Sequence, residues 1–434
     1  MRFGREKRTR ILDDSSVEGA DGSDRGLRNN IFTSKTSINL IFGNIAVFIS
    51  IFPWIGFGVL DIDSQPWPVI SFVIYLFVCG SSIKLPRNIG IMALVLATGF
   101  FISLARSHEP ASFLTIRAAY NYSCIIFVFL GFYNYLHRFG FPYKLVLAVN
   151  VIWLVGAFVE IFYPHFNEFL VPVRTSADRG LTSFAPEPTF YAIFLFFSSW
   201  LLLAADGYRF RTHFGRHAVN IGSIALLARS SMGVVYLVFA YGQYLIFNLF
   251  RLKINKSFMK SVALVLILLS TLVSIFYFYL DQSRVFKLAS DLFTKVGISG
   301  LFALDASMNS RLESVVFSIH GAILNYLIPS GFDTFMDQGA YLLRFYNGLF
   351  WYSKGSLKVE SWVGAFIYEL GFLGLAFLLL FFSGAWDRSY RGFLELLLLF
   401  IILLSAVPLA FPLVPMLFSV LYYRKVVSTR VVVS

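Results

Sequence analysis

Four arginines in this sequence lie inside or beside apolar segments, where a permanent positive charge is energetically unfavourable. They are Arg174, Arg179, Arg229 and Arg311. Arg229 lies in "LLARSSMGVVYL", within the long apolar run 218–250. A guanidinium in apolar surroundings usually faces a polar cavity and a partner, although an arginine that only extends to the membrane surface would look the same. Because guanidinium groups bind phosphate oxygens through paired hydrogen bonds, the four predict a site for a phosphate-bearing ligand.

Two carboxylates are candidates for a proton acceptor at such a site. Glu187 lies in "APEPTF", where Pro186 and Pro188 keep the backbone extended, since proline disfavours helix in the residue before it. Glu360 lies in "KVESWVG", just before a later apolar run. A general base needs a fixed carboxylate, while a charged turn before a helix is the plainer interpretation. Two further carboxylates in apolar runs are expected only to neutralise arginines, Glu160 and Glu369.

The sequence predicts neither a metal site nor a cofactor. The acidic pair Asp61 and Asp63 lies in a short loop between two apolar runs, which leaves little chain to surround an ion. Cys79 and Cys124 lie inside apolar runs without metal-ligand or disulfide spacing, so we expect small core residues. His320 is a lone histidine on an otherwise apolar helix and is expected to be a packed or surface residue, not a ligand. The chemistry should therefore be independent of metal.

The elements that must position these residues are membrane helices. Of 434 residues, 57% are hydrophobic and 14% are charged, whereas soluble proteins are nearer a quarter charged. The charges cluster between long apolar runs, which predicts an all-α polytopic membrane protein. The runs lie at about 38–60, 68–83, 89–105, 118–136, 145–163, 189–205, 218–250, 257–280, 361–386, 392–407 and 411–423.

The distribution of positive charge predicts the orientation. Basic loops alternate with loops that lack Lys and Arg, such as 61–67 and 408–415. Because basic loops stay in the cytoplasm, both termini are expected inside, and the net charge of +12 is not a sign of nucleic-acid binding. We expect a disordered cytoplasmic tail at 1–37, a transmembrane domain at 38–423 and a cytoplasmic tail at 424–434.

The run 218–250 has basic loops at both ends and should therefore enter the membrane and return. As one helix it would be about 50 Å long, more than one crossing needs. We expect a hairpin that turns at "ARSSMG", Ala228 to Gly233, with Arg229 at or near the outer side. Counting this hairpin twice gives about 12 transmembrane helices.

Two segments should face outward, 164–188 and the larger loop 281–360, which is long enough to need structure of its own. In the larger loop, "SRVFKLASDLFTKVG" and "SRLESVVFSIHGAILNYL" both have helical apolar periodicity and predict amphipathic helices. The second begins with Ser310 and Glu313 spaced as a capping box, which would place Arg311 in its first turn.

In this order of features the chain resembles the bacterial O-antigen polymerase and ligase superfamily, GT-C-like membrane glycosyltransferases, over roughly residues 145 to 420. "RGLTSFAPEPTFYA" resembles the polymerase pattern at the start of a span, and "LLARSSMGVVYL" is similar to the family's Ser/Arg segment. "NSRLESVVFSIHGAILNYLIPSGF" and "VESWVGAFIYELGFLGLAFLLLF" resemble its outer-loop helix and the following span. Ligases carry a His-Asn pair where this chain has Glu360 and Ser361. The spacings from Arg174 to Gly180 and from Arg311 to Gly321 only approximate the polymerase motifs.

The resemblance implies polymerisation of undecaprenyl-diphosphate-linked oligosaccharide repeat units on the outer face of the bacterial inner membrane. The product would be O-antigen, capsule or exopolysaccharide, and a chain-length regulator is a possible partner. Arg229 and Arg311 would bind the diphosphate, Arg174 and Arg179 the donor or acceptor glycan, and Glu187 or Glu360 would be the base of an inverting transfer. One alternative is an O-antigen ligase, against which the missing His-Asn pair argues. The other is a lipid-linked oligosaccharide flippase or transporter, against which the absence of an internal repeat argues.

Overall fold

The protein is all-helical over the residues that the computed structural model describes, in which no strand occurs. These residues are 37–56, 65–164, 166–172, 174, 180–208, 213–250, 306–346, 348–352, 359–405 and 407–433. The predicted tail at 1–36, the run 257–280, the first amphipathic helix of the larger loop, the acidic pair Asp61 and Asp63, and Arg179 lie outside them.

Fourteen helices are described within these ranges, and we number them in chain order. They are α1 Ser37–Ser50, α2 Trp67–Cys79, α3 Ile89–Arg106, α4 Phe113–Phe139, α5 Tyr143–Phe162, α6 Pro188–Ala205, α7 Phe214–Gly222, α8 Ser231–Phe250, α9 Ala306–Leu324, α10 Phe335–Phe345, α11 Trp362–Glu369, α12 Gly371–Ala385, α13 Tyr390–Leu404 and α14 Leu413–Val433.

The helices follow the predicted apolar runs closely. Within the described residues, four are long and apolar enough to cross a membrane, namely α3, α4, α5 and α6, and three shorter ones are strongly apolar. They suggest a protein embedded in a membrane, while the count of about 12 crossings stays a prediction. α14 continues to Val433, so the predicted tail at 424–434 is helical for most of its length.

The run 218–250 forms the predicted hairpin. α7 continues as one π-helical turn over 223–227 and ends, and α8 begins at Ser231 after a short turn. The two arms run in opposite directions along α6: the Asn220 amide donates to Ser199 Oγ at 2.7 Å on the way out, and Tyr236 packs against Phe196 on the way back. A single straight span is thereby excluded for this segment.

α6 is the central helix of the bundle. It is apolar on all sides, as expected for a helix surrounded by protein, and 72% of its 18-residue window is buried, against 28–39% for the other three long apolar helices. α14 packs along both α4 and α6, while α7 and α8 cover another side of α6. The N-terminus of α6, which follows Glu187, is therefore held in the middle of the molecule.

The basic loops meet at one end of the bundle, which we call the basic end (loops 80–88, 139–143, 206–208 and 386–389 and the nearby part of α14). The Arg138 guanidinium donates to the Ser82 carbonyl at 3.0 Å. Arg391 and Arg424 lie over the same Tyr208 ring, at 4.0 and 4.9 Å from its centroid. The alternation of basic and non-basic loops along the sequence thus corresponds to two ends of the fold.

The opposite end, which we call the long-loop end, gathers the described residues of loops 51–66, 107–112, 163–187, 228–230 and 405–412 and of the segment 306–361. Backbone hydrogen bonds join loops that are distant in sequence: Gly56 N–H donates to Leu170 O at 2.9 Å, and Leu181 N–H to Leu227 O at 2.9 Å. Both predicted outward segments contribute their described residues to this end, as does the turn that contains Arg229.

Helix α9 differs from the predicted amphipathic helix in two respects. It begins at Ala306, so Ser310 lies inside the helix and the predicted capping box does not cap it. Polar side chains are buried on more than one side of it, among them Arg311 and Glu313, together with the apolar Phe317, while Ile323 is 59% exposed. Charged side chains buried on a membrane-embedded helix usually face a polar site.

A break between α11 and α12 results from a close backbone approach. Phe372 N–H donates to Leu327 O at 2.6 Å, and a methyl group on Gly371 would overlap that same carbonyl. Gly371 also has a φ of 58°, a conformation that favours glycine. The last turn after α9 therefore fits only against a chain that carries no side chain at this position.

Gly371→Ala is expected to lower the free energy of unfolding by about 1 to 3 kcal/mol, because it adds backbone strain and a steric overlap. Thermal unfolding of the purified protein in detergent measures the change. Gly90→Ala is the matched control, since no atom lies within 4 Å of the added methyl and helix propensity favours alanine. Equal stability of the two variants would contradict the packing described for Gly371.

Candidate functional site

The face of α9 that carries Arg311 is buried and also carries Ser314 and Ser318, and Arg311 is the only permanent cation on the helix. The buried polar side chains of this helix are Asn309, Arg311, Glu313, Ser314 and Ser318. Arg311 is 8% exposed. Glu313 is two positions further along and so points about 200° around the helix axis from Arg311. α9 packs on α11, which brings this face against the start of α11 at the long-loop end.

The charge of Arg311 acts on a tyrosine hydroxyl to which Arg311 makes no hydrogen bond. Among the residues that the structure describes, no carboxylate forms an ion pair with Arg311 and no hydrogen bond of its side chain is found. Its positive charge interacts with the hydroxyl of Tyr236, which is 1% exposed. A buried guanidinium without a carboxylate is a ready site for an external anion, because binding one removes an unfavourable isolated charge.

Hydrogen bonds connect helices α9, α11 and α8 and the end of α13 near this arginine. We call the hydrogen-bonded residues, together with Arg311, the polar ring; they are Ser314, Ser361, Ser405 and Tyr236. Ser314 Oγ accepts the backbone N–H groups of Glu360 at 2.7 Å and Ser361 at 3.3 Å. Ser361 Oγ donates to the Leu404 carbonyl at 2.6 Å, and Ser405 hydrogen-bonds the Tyr236 hydroxyl.

Glu360 is held by Ser314, which lies about one helical turn after Arg311 on α9. Ser314, which holds the Glu360 backbone, is three positions after Arg311 and so lies on nearly the same side of α9. The Glu360 side chain is half-buried, and Ser361 caps α11 by accepting the Gly364 N–H at 3.0 Å. Of the two carboxylates that the sequence predicts as a base, Glu360 is the one whose backbone is held by the side of α9 that carries Arg311.

A second group of predicted residues gathers around the start of α6. The Glu160 carboxylate accepts hydrogen bonds from Thr182 N at 2.8 Å, Ser183 N at 2.6 Å and Thr182 Oγ1 at 2.9 Å. Glu160 therefore orders a loop instead of neutralising an arginine, contrary to expectation. The same loop contacts the turn before α8, since Gly180 approaches Ala228 too closely to carry a side chain.

Glu187 has the predicted backbone. Its φ of −146° and ψ of 152° are extended, and α6 begins at the next residue, Pro188. Its carbonyl accepts the first helical hydrogen bonds, from Phe190 N at 3.1 Å and Tyr191 N at 3.2 Å. The side chain is half-buried. Glu187 is thus placed by the loop that Glu160 holds, near the turn that carries Arg229.

The arginines differ in their surroundings. Arg229 lies at the predicted turn, but its side chain is exposed and its φ is 47°. The buried guanidinium that the sequence suggests at Arg229 is therefore found at Arg311. Arg174 is exposed at the long-loop end, and its N–H donates to Pro186 O at 2.9 Å. Helix α8 connects the two groups: it begins two residues after Arg229, at Ser231, and Tyr236 lies about 7 Å further along its axis.

Glu369 lies outside both groups. Its Oε2 accepts a 2.7 Å hydrogen bond from the Tyr122 hydroxyl, and its carboxylate interacts electrostatically with Arg117. The expectation that it neutralises an arginine agrees with this, but the arginine is Arg117 on α4, which the sequence did not single out. Glu369 lies next to the break before Gly371, and its polar neighbours there are Tyr122 and Arg117.

The predictions for the two cysteines and for His320 agree with the structure. Cys79 and Cys124 are buried free thiols. His320 is packed between aromatic rings and its Nδ1 lies 2.9 Å from the Tyr346 hydroxyl. Within the described ranges, no group of three or more His, Cys, Asp or Glu residues is arranged to hold a metal ion.

Glu160→Ala is expected to lower the free energy of unfolding by about 2 to 3 kcal/mol, because the backbone N–H groups of Thr182 and Ser183 would lose their acceptor. Thermal unfolding in detergent and protease sensitivity of the loop measure the effect. Glu168→Ala, an exposed glutamate in the same segment, is the control. Unchanged stability and unchanged cleavage of the loop in Glu160→Ala would contradict this role.

Sequence reasoning missed Tyr236 and the serines of the polar ring. One signal was present: Ser310, Ser314 and Ser318 recur every four residues and so share one side of a helix. A tyrosine in an apolar span carries no comparable signal, since aromatic residues are abundant in this chain. No family model, curated protein or solved structure matches this chain.

Proposed function

We propose that this protein is a membrane glycosyltransferase that polymerises undecaprenyl-diphosphate-linked oligosaccharide repeat units. The observation that carries the proposal is Arg311, a buried guanidinium with no carboxylate partner among the described residues and with Glu360 placed about one turn away. Preorganised cations stabilise a leaving diphosphate, and a neighbouring carboxylate suits the removal of a proton from an attacking hydroxyl.

The proposed reaction is an in-line displacement. The acceptor hydroxyl oxygen forms a bond to the anomeric carbon of the growing chain while the bond from that carbon to the diphosphate oxygen breaks. The electron pair leaves with the diphosphate, which Arg311 binds and Arg229 reaches from the neighbouring turn. Glu360 accepts the hydroxyl proton, and Glu187 is the alternative acceptor. Attack opposite the leaving group inverts the anomeric configuration.

The proposed orientation follows from the two ends of the bundle. The basic end would lie in the cytoplasm, because Lys and Arg loops are retained there. The long-loop end, with Arg174, Arg229, Arg311 and the start of α6, would then face outward, where Arg174 and Arg179 would contact the glycan. This is the outer face of a bacterial inner membrane, with both termini cytoplasmic.

Reconstitution tests the proposed function directly. The purified protein in liposomes is given a lipid-linked oligosaccharide repeat unit, and the products are separated by size. A ladder of products that differ by one repeat unit, each still attached to lipid, is expected. Unchanged substrate after prolonged incubation, with protein that is correctly folded and oriented, would refute a polymerase.

A flippase or transporter remains the second candidate function, and the break between α11 and α12 favours it. Interrupted membrane helices often line transport sites, and Glu369 lies beside this break. The close approach of Leu327 to Gly371 gives the break a packing cause, so we prefer the polymerase. Movement of a labelled lipid-linked substrate between leaflets without any new glycosidic bond would identify a transporter.

A further inference from the structure

The basic end contains a tyrosine in an unusual backbone conformation. The turn after α6 closes with Tyr208 N–H donating to Leu203 O at 2.7 Å, and Gly207 supplies the left-handed residue that such a turn needs, with a φ of 61°. Tyr208 is left-handed as well, with a φ of 65°, which is strained for a bulky side chain. Strain of this kind persists where the surroundings hold a residue in place, and it often marks a functional position.

The ring of Tyr208 brings together cations from two helices. The guanidinium carbon of Arg391, on α13, lies 4.0 Å from the ring centroid, and that of Arg424, on α14, lies 4.9 Å from it. Each guanidinium is attracted by the ring, but two like charges at one ring repel each other. An anion bound to both would replace that repulsion by charge-assisted hydrogen bonds.

Two buried donors at this ring have no hydrogen-bond acceptor among the described residues. They are the Tyr208 hydroxyl and Nη1 of Arg424. Buried polar atoms are nearly always hydrogen-bonded, so a pair of unsatisfied donors in one place indicates a missing acceptor. A phosphate oxygen accepts from a guanidinium and a hydroxyl alike, and a phosphate has enough oxygens to serve several donors.

Positive charge exceeds negative charge around this group. Glu395 Oε2 lies 3.7 Å from Arg424 Nη1, which is an ion pair but too long for a hydrogen bond. The Asp387 carboxylate is used by its own turn, where it accepts Ser389 N–H at 2.9 Å. Among the described residues of this region, four cations stand against three carboxylates: Arg388, Arg391, Arg424 and Lys425 against Asp206, Asp387 and Glu395.

The outer face of α13 is suited to contact lipid directly. Phe393, Leu397 and Ile401 are exposed and recur every four residues, so they form an apolar stripe along the helix. Trp386 and Tyr390 are exposed where the helix starts, as aromatic residues are at the surface of a membrane. The two stacked arginines therefore lie near the level of lipid headgroups, next to a surface that suits acyl chains.

We propose that Arg391, Arg424 and the Tyr208 hydroxyl bind the phosphate of an anionic phospholipid, whose acyl chains lie along the apolar stripe of α13. Basic sites between membrane helices are suited to such headgroups. The bound lipid would connect the ends of α6, α13 and α14. This site is separate from the polar ring and does not depend on polymerisation, whereas its assignment to the cytoplasmic leaflet rests on the proposed orientation.

Lipid titration of the purified protein in detergent tests the proposal. Phosphatidylglycerol should bind more tightly than zwitterionic phosphatidylcholine in native mass spectrometry, and it should raise the Tm more. Arg391→Ala is expected to weaken phosphatidylglycerol binding about fivefold, the contribution of one basic residue at an anionic membrane surface. Arg87→Ala is the matched control, since it removes an exposed arginine at the same end and should change binding by less than about twofold.

Tyr208→Phe separates the lipid site from a general effect on folding. It keeps the ring under both arginines and removes only the hydroxyl, so phosphatidylglycerol binding should weaken by about tenfold while the Tm without lipid stays the same. Equal phosphatidylglycerol affinity in the wild type, Arg391→Ala and Tyr208→Phe would overturn the proposal. Binding of inorganic phosphate at this site with no preference between the two lipids would also overturn it. Neither result bears on the polymer ladder, which tests the proposed function separately.

Discussion

Replacing Arg311 by alanine is expected to lower the rate of polymer formation by about 100- to 1,000-fold, the range seen when one preorganised charge-stabilising donor is removed. The guanidinium is buried on the side of α9 that holds the Glu360 backbone and, within the described residues, forms no ion pair with a carboxylate. Its charge is therefore available to a leaving diphosphate. The rate is measured with purified, reconstituted protein and a lipid-linked repeat unit.

Arg344→Ala is the matched control, since Arg344 is an exposed arginine on α10 of the same outer segment. It should change the rate by less than about twofold, because exposed charges are screened by solvent. Arg311→Lys keeps a positive charge but loses the two-pronged geometry and should fall between alanine and wild type. A normal rate and normal chain length in Arg311→Ala, at normal membrane levels, would remove the basis of the proposed function.

Glu360→Gln is expected to lower the rate by about 100-fold or more, since general-base catalysis contributes about 10² to 10⁴. Glutamine keeps the shape of the side chain but cannot accept the acceptor hydroxyl's proton. The Glu360 backbone is held by Ser314 through a main-chain N–H, so this hydrogen bond survives the substitution. Turnover of the lipid-linked substrate is the measurement, with thermal unfolding as the check on folding.

Glu187→Gln separates the two candidate bases. Glu187 lies at the start of α6, in the group that contains Glu160 and the turn before α8, and not in the polar ring. We expect the smaller effect there, of about tenfold or less, from altered substrate contacts. A larger loss in Glu187→Gln than in Glu360→Gln would transfer the role of base to Glu187 and move the reacting hydroxyl to the other side of α8.

Arg229 and Arg311 show that the sequence does not predict which arginine side chain is buried. Arg229 lies in an apolar run, which predicts a buried charge, yet the chain turns at this point and the side chain is exposed. Arg311 lies in a predicted amphipathic helix of the outer loop, whose sequence does not show which side is covered, yet it is only 8% exposed. Local hydrophobicity reports average surroundings and does not tell which side of a helix meets protein.

Glu160 gives a second example. The sequence shows a carboxylate at the end of a span and several arginines nearby, so charge neutralisation is the natural expectation. In the structure the carboxylate instead binds the backbone of Thr182 and Ser183, about twenty residues further on. Loop conformations of this kind depend on which N–H groups lack other acceptors, and the sequence does not show that.

The sequence by itself determined the helical class, the approximate bounds of most described spans, the hairpin with its turn placed within 228–233, and the grouping of the described basic loops. These follow from hydrophobicity, proline positions and charge, which act over one helix length. Only the tertiary structure decided which arginine is buried and what surrounds it. The polar ring joins Tyr236 to a serine 169 residues away, and contacts at that separation exist only once the helices have packed.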